Sequence, residues 1–97
     1  PTEPMWRHVT ARDQLCVWPG CRRPAARSEK DHRIPYPDGP TSLVNLDDLC
    51  SPHHRIKHIH GYRVRRLPDG RYEVVTPRGT RLVSTPLEQP FDGIVAG

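Results

Sequence analysis

Two pairs of potential metal ligands, far apart in the sequence, constrain the fold of this chain more than any other feature. Cys16 and Cys21 flank a short turn, and Cys50 and His53 stand at a predicted strand-to-helix junction. Three thiols and one imidazole form a common tetrahedral ligand set for structural zinc. The odd number of cysteines argues against a closed disulfide framework. The four residues therefore predict a structural zinc site, and the alternative is that the cysteines are buried apolar residues.

The size of the chain explains why a zinc site would matter to its folding. With 97 residues, of which 34% are apolar, the chain is long enough for one small domain. A domain of this size buries roughly 60% of the surface of its unfolded chain and often needs a disulfide or a metal ion for stability. Because the ligands converge only in the folded chain, metal binding contributes directly to the free energy of folding.

The first half of the chain is predicted to contain two strands. Residues 1 to 10 show no clear periodicity and are predicted to be a lead-in, followed by a short helical turn capped by Thr10. One strand is predicted from Ala26 to Ile34 and a second over residues 46 to 50. The segment between them, residues 35 to 40, holds three prolines and a glycine, which predict a loop.

The second half is predicted to begin with a short helix and to continue as a sheet. Ser51 and Pro52 are typical of a helix start and Gly61 of a helix end, which gives a helix of about residues 52 to 59. Alternating residues on both sides of the turn at 68 to 70 predict a β-hairpin, and a third strand is predicted at 80 to 84. Residues 86 to 97 are predicted to form a flexible tail.

The charge of the chain favours a polyanionic partner. Fifteen Lys and Arg residues oppose eleven Asp and Glu residues, and thirteen of the fifteen are Arg. The planar fork of a guanidinium suits phosphate oxygens, so DNA or RNA is the expected partner. The alternative is a solvated surface that is merely basic.

Targeting features add two expectations about the whole protein. No apolar run approaches the roughly 18 residues of a membrane span, and no secretory segment is present, so we expect a soluble, cytoplasmic protein without a membrane partner. Because the first residue is Pro1, we also expect a piece of a longer chain that has further domains.

A second group of polar residues around the predicted helix indicates chemistry. His54 and His58 lie one turn apart on the same face of the helix, and His53 points about 100° away from His54. One helix can therefore serve two metal sites. Asp31 and His32 end the first predicted strand; a carboxylate offers a hard oxygen ligand to a divalent cation, and a neutral imidazole can accept a proton from water.

As a set, these residues resemble the HNH motif of the ββα-metal, or His-Me finger, nucleases. The resemblance covers about residues 12 to 67. Its zinc-ligand pairs are similar to those of the zinc-bearing HNH domains that lie at the C-terminus of larger bacterial proteins. In many relatives the position of His53 holds a cysteine. The matching residues are Asp31, His32, Gly39, Asn45, Leu46, Leu49, Cys50, His53, His54, Lys57 and His58.

The resemblance implies an α+β fold, with a small zinc-stapled ββα-metal (HNH) core and an added C-terminal β-hairpin. The nuclease domain would cover residues 11 to 85. Within it, the zinc knuckles would span 16 to 21 and 50 to 53, the ββα core 27 to 60 and the hairpin 62 to 84.

The resemblance also implies an activity, the metal-dependent hydrolysis of DNA phosphodiester bonds that leaves 5′-phosphate and 3′-hydroxyl ends. His32 would be the general base. Asp31 and His54, with His58 as a further ligand, would hold a catalytic divalent metal such as Mg, Mn, Ni or Zn. Asn45 would hold the loop between the strands so that His32 keeps its tautomer and direction.

The sequence also predicts contacts or locations for several residues that flank the two sites. Arg33, Arg55 and Lys57 would suit contacts to DNA phosphates, although each could be a solvated charge. Trp18 is expected to pack over the first zinc knuckle. The two acids that follow Asn45, at positions 47 and 48, are expected to be surface residues or to repel DNA locally.

Two other functions are compatible with the same sequence. The zinc set could belong to a non-catalytic nucleic-acid-binding module, or to a structural domain of a larger protein. In both cases His32 would be an ordinary surface histidine, Asn45 a turn residue and His58 a solvated side chain. Asp31, His32 and His54 together favour the nuclease, because a binding module does not need them.

Overall fold

The central unit of the fold is an antiparallel pair of strands followed by a helix. The computed structural model describes residues 1–84, which form two helices and two small antiparallel sheets. The helices are α1 (Glu3–Asp13) and α2 (Ser51–His60), and the strands are β1 (Glu29–His32), β2 (Leu46–Leu49), β3 (Arg63–Arg66), β4 (Tyr72–Val75) and β5 (Arg81–Val83). The mixed α+β class predicted from the sequence is confirmed.

The β1–β2 pair and α2 follow the predicted order. The register pairs Glu29 with Leu49 and His32 with Leu46. The two strands are joined by a loop that runs from residue 33 to 45. Helix α2 ends at Gly61, whose φ of 72° is left-handed and therefore suits glycine. Because α2 is only ten residues long and largely polar, it depends on tertiary contacts for its stability.

The first ten residues differ from the predicted lead-in. Helix α1 begins at Glu3, and its N-cap is Thr2, whose Oγ1 accepts a hydrogen bond from Met5 N at 3.3 Å. Thr10 is not a cap but lies inside the helix, where its Oγ1 donates to Trp6 O at 3.0 Å.

Long-range contacts explain why α1 forms although its periodicity is weak. Val9 is fully buried. At the C-terminal end, Asp13 accepts hydrogen bonds from Asp48 N (3.0 Å) and from the Tyr72 hydroxyl (2.8 Å). Arg12 donates to the carbonyl oxygens of Leu43 (2.7 Å) and Leu46 (2.5 Å). These partners lie more than thirty residues away, so no local pattern indicates them.

The two acids after Asn45 are buried, which corrects the expectation that they are surface residues. Asp48 is 0% exposed and its Oδ1 lies 2.5 Å from Lys30 Nζ. Asp47 is 1% exposed and accepts two hydrogen bonds from Arg33, at 3.0 and 2.7 Å. Because a buried charge is tolerated only when it is paired, these basic partners are part of the fold.

The C-terminal hairpin and the third strand are confirmed. Strand β4 pairs with β3 on one side and with β5 on the other. One face of this sheet packs on a small core that also contains two of the three cysteines predicted to bind metal. The core consists of Cys16, Val17, Leu49, Cys50, Val64, Tyr72 and Val74. The tail predicted for residues 86 to 97 lies outside the described residues.

Neither helix of the described part has the length and apolar character needed to cross a bilayer.

Candidate metal centres

The four predicted zinc ligands meet at one point. Their ligand atoms lie within 4.8 Å of one another and form a Cys3His cluster that could bind a metal ion. His53 Nδ1 lies 3.2 Å from Cys50 Sγ and 3.6 Å from Cys16 Sγ, and the Sγ atoms of Cys21 and Cys50 are 3.9 Å apart. A tetrahedral zinc ion with Zn–S bonds of about 2.3 Å would set such separations at roughly 3.5 to 3.8 Å. The donor set therefore fits zinc.

Local structure brings the two ligand pairs together. A turn between the first two cysteines is closed by a hydrogen bond from Cys21 N to Trp18 O at 2.9 Å. The second pair lies at the junction of β2 and α2, and Cys50 N donates to Cys16 Sγ at 3.3 Å. All three cysteines are free thiols rather than disulfides.

The surroundings of these ligands shift their pKa values in different directions. Burial opposes ionisation of Cys50, but hydrogen bonds from the His53 backbone and from Arg23 outweigh it and lower the pKa of the thiol. Burial, together with the charge of Arg23, lowers the pKa of His53, so its imidazole stays neutral. Burial raises the pKa of Cys16 to about 12, so its thiolate forms at neutral pH only when a cation is bound.

Trp18 packs on this cluster, as expected. Its ring stacks on the imidazole of His53, with centroids 4.6 Å apart and planes inclined by 1°. The stacking fixes the ring of His53, so that Nδ1 points towards the thiols.

The residues predicted for the catalytic metal also meet. Asp31, His54 and His58 form a second cluster whose ligand atoms lie within 4.8 Å of one another. Oδ1 of Asp31 lies 2.7 Å from His58 Nε2 and 3.2 Å from His54 Nε2. Asp31 is buried, whereas the two imidazoles are partly open, so the cluster has a protein side and a solvent side. A carboxylate with two imidazoles suits a divalent cation.

Glu29 belongs to this site, although the sequence analysis did not select it. Its Oε2 lies 3.3 Å from His54 Nδ1. A histidine that binds a metal through one ring nitrogen commonly donates the other N–H to a carboxylate, which orients the ring. The signal was present in the sequence, because Glu29 and Asp31 are two residues apart in a strand and share a face.

Lys57 lies inside the site rather than on the surface. Its ammonium group forms an ion pair with Asp31 Oδ2 and donates to the carbonyl oxygen of His32 at 3.0 Å. Lys57 is 8% exposed. In this arrangement the ammonium is buried and already paired, and its contact with DNA phosphates stays a prediction.

The other two residues that were expected to contact phosphate, Arg33 and Arg55, differ in how exposed their side chains are. Arg33 is held by Asp47 through two hydrogen bonds, and its side chain is 21% exposed. Arg55 is exposed on α2. Of the three residues, only Arg55 has a side chain that is exposed and therefore accessible to a phosphate.

His32 and Asn45 organise the loop between β1 and β2. His32 Nε2 lies 2.8 Å from Thr41 Oγ1. Asn45 Nδ2 donates to Ile34 O (3.0 Å) and Pro40 O (2.9 Å), while its Oδ1 accepts from Ile34 N (3.0 Å). These three hydrogen bonds hold both ends of the proline-rich segment.

Gly39 completes the same loop. A Cβ atom there would lie 2.6 Å from Asn45 Nδ2 and would also clash with the Ile34 carbonyl oxygen. Only glycine permits this close approach of the backbone to the asparagine amide.

Comparison with known proteins finds relatives without an assigned role. No protein-family model and no solved structure matches the chain. The chain is 38% identical over 92 residues to the uncharacterized protein Rv3776 of Mycobacterium tuberculosis strain H37Rv, a match that covers 94% of this chain and 18% of that protein. It is 37% identical over 92 residues to the uncharacterized protein Rv2100 of the same strain, covering 94% and 17%. The chain thus spans less than a fifth of the length of the curated relatives it matches.

Proposed function

We propose that this chain is a metal-dependent endonuclease domain of the HNH type that hydrolyses phosphodiester bonds of DNA. The observation that carries the proposal is the convergence of Asp31 Oδ1 with the Nε2 atoms of His54 and His58, beside His32 and apart from the Cys3His cluster. A domain that uses zinc only for stability has no need of a second ligand set open to solvent.

The donor set of the second cluster fits a divalent cation. Asp31, His54 and His58 would hold it, and it would supply positive charge to the scissile phosphate and the leaving oxygen. Glu29 orients His54 through Nδ1, and Lys57 orients Asp31 through Oδ2. Three ligands with fixed directions leave the solvent side of the cluster for a phosphate oxygen.

His32 is the general base in this proposal. His32 follows Asp31 in β1 and is not among the ligands of the cluster. When Nε2–H donates to Thr41 Oγ1, the lone pair of Nδ1 is left to accept a proton from the attacking water. Asn45 then acts as a positioning residue, since it holds the loop that carries Thr41.

A non-catalytic, zinc-dependent nucleic-acid-binding module is the second candidate. The ion pair between Lys57 and Asp31 favours it, because the ammonium neutralises the carboxylate without any bound cation. The two candidates predict the same zinc site and the same affinity for DNA, and they differ in whether the Asp31 cluster binds a cation and whether the DNA is cleaved.

Nicking of a supercoiled plasmid in Mg²⁺ or Mn²⁺ tests the proposal. We expect His32→Ala to lower the nicking rate by roughly 10²- to 10⁴-fold, the usual contribution of a general base. The matched control is His8→Ala, which removes an exposed histidine from α1 and is expected to nick like the wild type. The nicks should be sealed by DNA ligase, since the expected ends are 5′-phosphate and 3′-hydroxyl.

Two results would overturn the nuclease. Equal nicking by the His32→Ala variant and the wild type would remove the assigned base. A wild type that binds DNA and carries zinc, but nicks it with neither metal, would establish the binding module instead.

A further inference from the structure

The positive charge of the described chain is concentrated after helix α2. Residues 61 to 84 contain six arginines and two acids, Asp69 and Glu73. In the first 60 residues, by contrast, many basic groups neutralise buried acids: Arg12 and Arg33 pair with Asp47, and Lys30 pairs with Asp48. The C-terminal sheet is thus the part of the described chain with the largest excess of exposed cationic side chains.

The register of the sheet sorts these arginines onto one face. Arg63 lies opposite Val75, which in turn lies opposite Arg81. Arg65 lies opposite Glu73 in the next row. Directly opposed residues of antiparallel strands share a face, and so do alternate residues of one strand. Arg63, Arg65 and Arg81 therefore share the face opposite to that of Val64 and Val74, which face the core. We name this surface the arginine face.

Glu73 forms ion pairs with two of the three arginines. Its Oε2 accepts a hydrogen bond from Arg81 Nε at 2.6 Å, and its Oε1 lies 3.6 Å from Arg65 Nε. The carboxylate is covered, with 4% of its side chain exposed, whereas the side chains of Arg65 and Arg81 remain 67% and 63% exposed. One acid thus orients two guanidinium groups and leaves most of their surface to solvent.

This arrangement suits a phosphate backbone rather than a single anion. Same-face residues of one strand, such as Arg63 and Arg65, stand about 7 Å apart. This separation is comparable to that between successive phosphates along a nucleic-acid strand. A guanidinium that one carboxylate already orients loses less side-chain entropy when it binds phosphate.

A groove borders the arginine face. It has a volume of about 620 Å³ and lies between α2 and the turn that joins β4 to β5. His60 and Arg78 add polar groups to its walls. Tyr62 and Thr80, the chain neighbours of Arg63 and Arg81, also line it, whereas Ile56 and His60 line it from the side of α2 opposite to His58.

We propose that the arginine face is a second contact surface for the phosphate backbone of DNA, separate from the Asp31 cluster. The inference rests on the proposed function only for the choice of partner. It holds whether or not the domain cleaves DNA, because the arginine face contains none of the proposed catalytic groups.

Three variants that each lower the net charge by one unit test the inference. Arg63→Ser removes one arginine of the face. The combined variant Arg65→Ser, Glu73→Gln, Arg81→Ser removes the oriented pair together with its carboxylate, so that no buried acid is left unpaired. Arg7→Ser removes an exposed arginine of α1 and is the matched control.

Binding is measured in the zinc-loaded His32→Ala background, by fluorescence anisotropy with a labelled duplex two helical turns long, over a series of salt concentrations. Each lost phosphate contact should reduce the slope of log K against log salt by about 0.9. We therefore expect a reduction of about 0.9 for Arg63→Ser, about twice that for the combined variant and none for Arg7→Ser.

The possible results separate this inference from the nuclease proposal. Equal weakening by all three variants would show that only net charge matters and would overturn the arginine face, whatever the wild type does to a plasmid. Unchanged slopes in all variants would overturn it as well. Tighter binding to anionic vesicles than to DNA, lost in the same two variants, would assign the face to a membrane surface and reject the inference.

Discussion

Lys57 places an ammonium group against the Asp31 carboxylate, inside the cluster proposed as the catalytic site. Both side chains are nearly buried, so neither charge has much water to stabilise it. In the absence of a cation the ammonium of Lys57 orients the carboxylate of Asp31. When a divalent cation approaches, the ammonium opposes it, because two positive groups then share one carboxylate. Lys57 is thus both a positioning residue and a competitor of the metal.

We expect Lys57→Gln to change metal affinity and apoprotein stability in opposite directions. Removal of the competing charge should tighten Mn²⁺ binding at the Asp31 cluster by about tenfold, which corresponds to about 1.4 kcal/mol. Loss of the partner of a buried carboxylate should lower the free energy of unfolding without Mn²⁺ by roughly 3 kcal/mol. Isothermal titration calorimetry and urea denaturation measure the two effects.

Arg55→Gln is the control for Lys57→Gln. It removes the same charge from an exposed position of the same helix and should alter both quantities only slightly. Weaker Mn²⁺ binding by Lys57→Gln would show that orientation of Asp31 outweighs the competition.

Among the elements, α1 is held to β2 mainly by buried charges. Val9 is its only fully buried apolar residue, whereas Asp13 and Arg12 supply hydrogen bonds to the β2 region and to Tyr72. Helix α2 is held in place by the two clusters instead. On one side it contributes His53 to the Cys3His cluster, and on another side it contributes His54, Lys57 and His58 to the contacts around Asp31. Polar contacts, rather than a continuous apolar stripe, hold both helices in place.

The contact between α1 and β2 should make stability depend on pH through Asp48. Burial raises the pKa of Asp48 from 3.8 to about 7, and the neighbouring Asp13 adds to this effect, while Lys30 opposes it. The folded state therefore binds a proton that the unfolded chain releases between these two values. The contribution of Asp48 to stability must then fall as pH rises through this range.

The variant Asp48→Asn cannot ionise and lacks this dependence. It should match the wild type near pH 4, where the carboxyl of Asp48 is already neutral, and should become more stable than the wild type by roughly 1 kcal/mol per pH unit up to about pH 7. Urea denaturation of both proteins at several pH values measures the difference, in which the effect of pH on zinc binding cancels. A difference that is independent of pH would contradict the raised pKa.

For the molecule as a whole, the two clusters predict two independently bound ions per chain. Loading with one equivalent of Zn²⁺ per chain, then dialysis against excess Mn²⁺ and elemental analysis, should find one zinc and one manganese ion per chain. His54→Ala should keep the zinc and lose the manganese, since it spares the Cys3His cluster. Cys50→Ser should lose the zinc and much of the helical circular dichroism, because α2 begins at that ligand. Identical metal content in the wild type and in His54→Ala would remove the second site.

Features of the sequence that act over a few residues were sufficient for much of this fold. Pro52 and Gly61 mark the ends of α2, the turn at 68 to 70 marks the hairpin, and the spacing of His54 and His58 puts both rings on one face. The paired cysteine and histidine positions likewise indicated the Cys3His cluster that the structure assembles. These predictions succeed because helix and strand periodicity determine direction locally.

Only the tertiary structure decided which charges are buried and with which partners. Helix α1, the buried pair of Lys30 and Asp48, and the contact of Lys57 with Asp31 all depend on residues that lie far apart in the sequence. A lysine in a helix looks the same in sequence whether it faces solvent or a carboxylate of another strand. The difference is set by the loss of hydration on burial, which must be offset by a partner, and the packing of β1 against α2 alone supplies that partner.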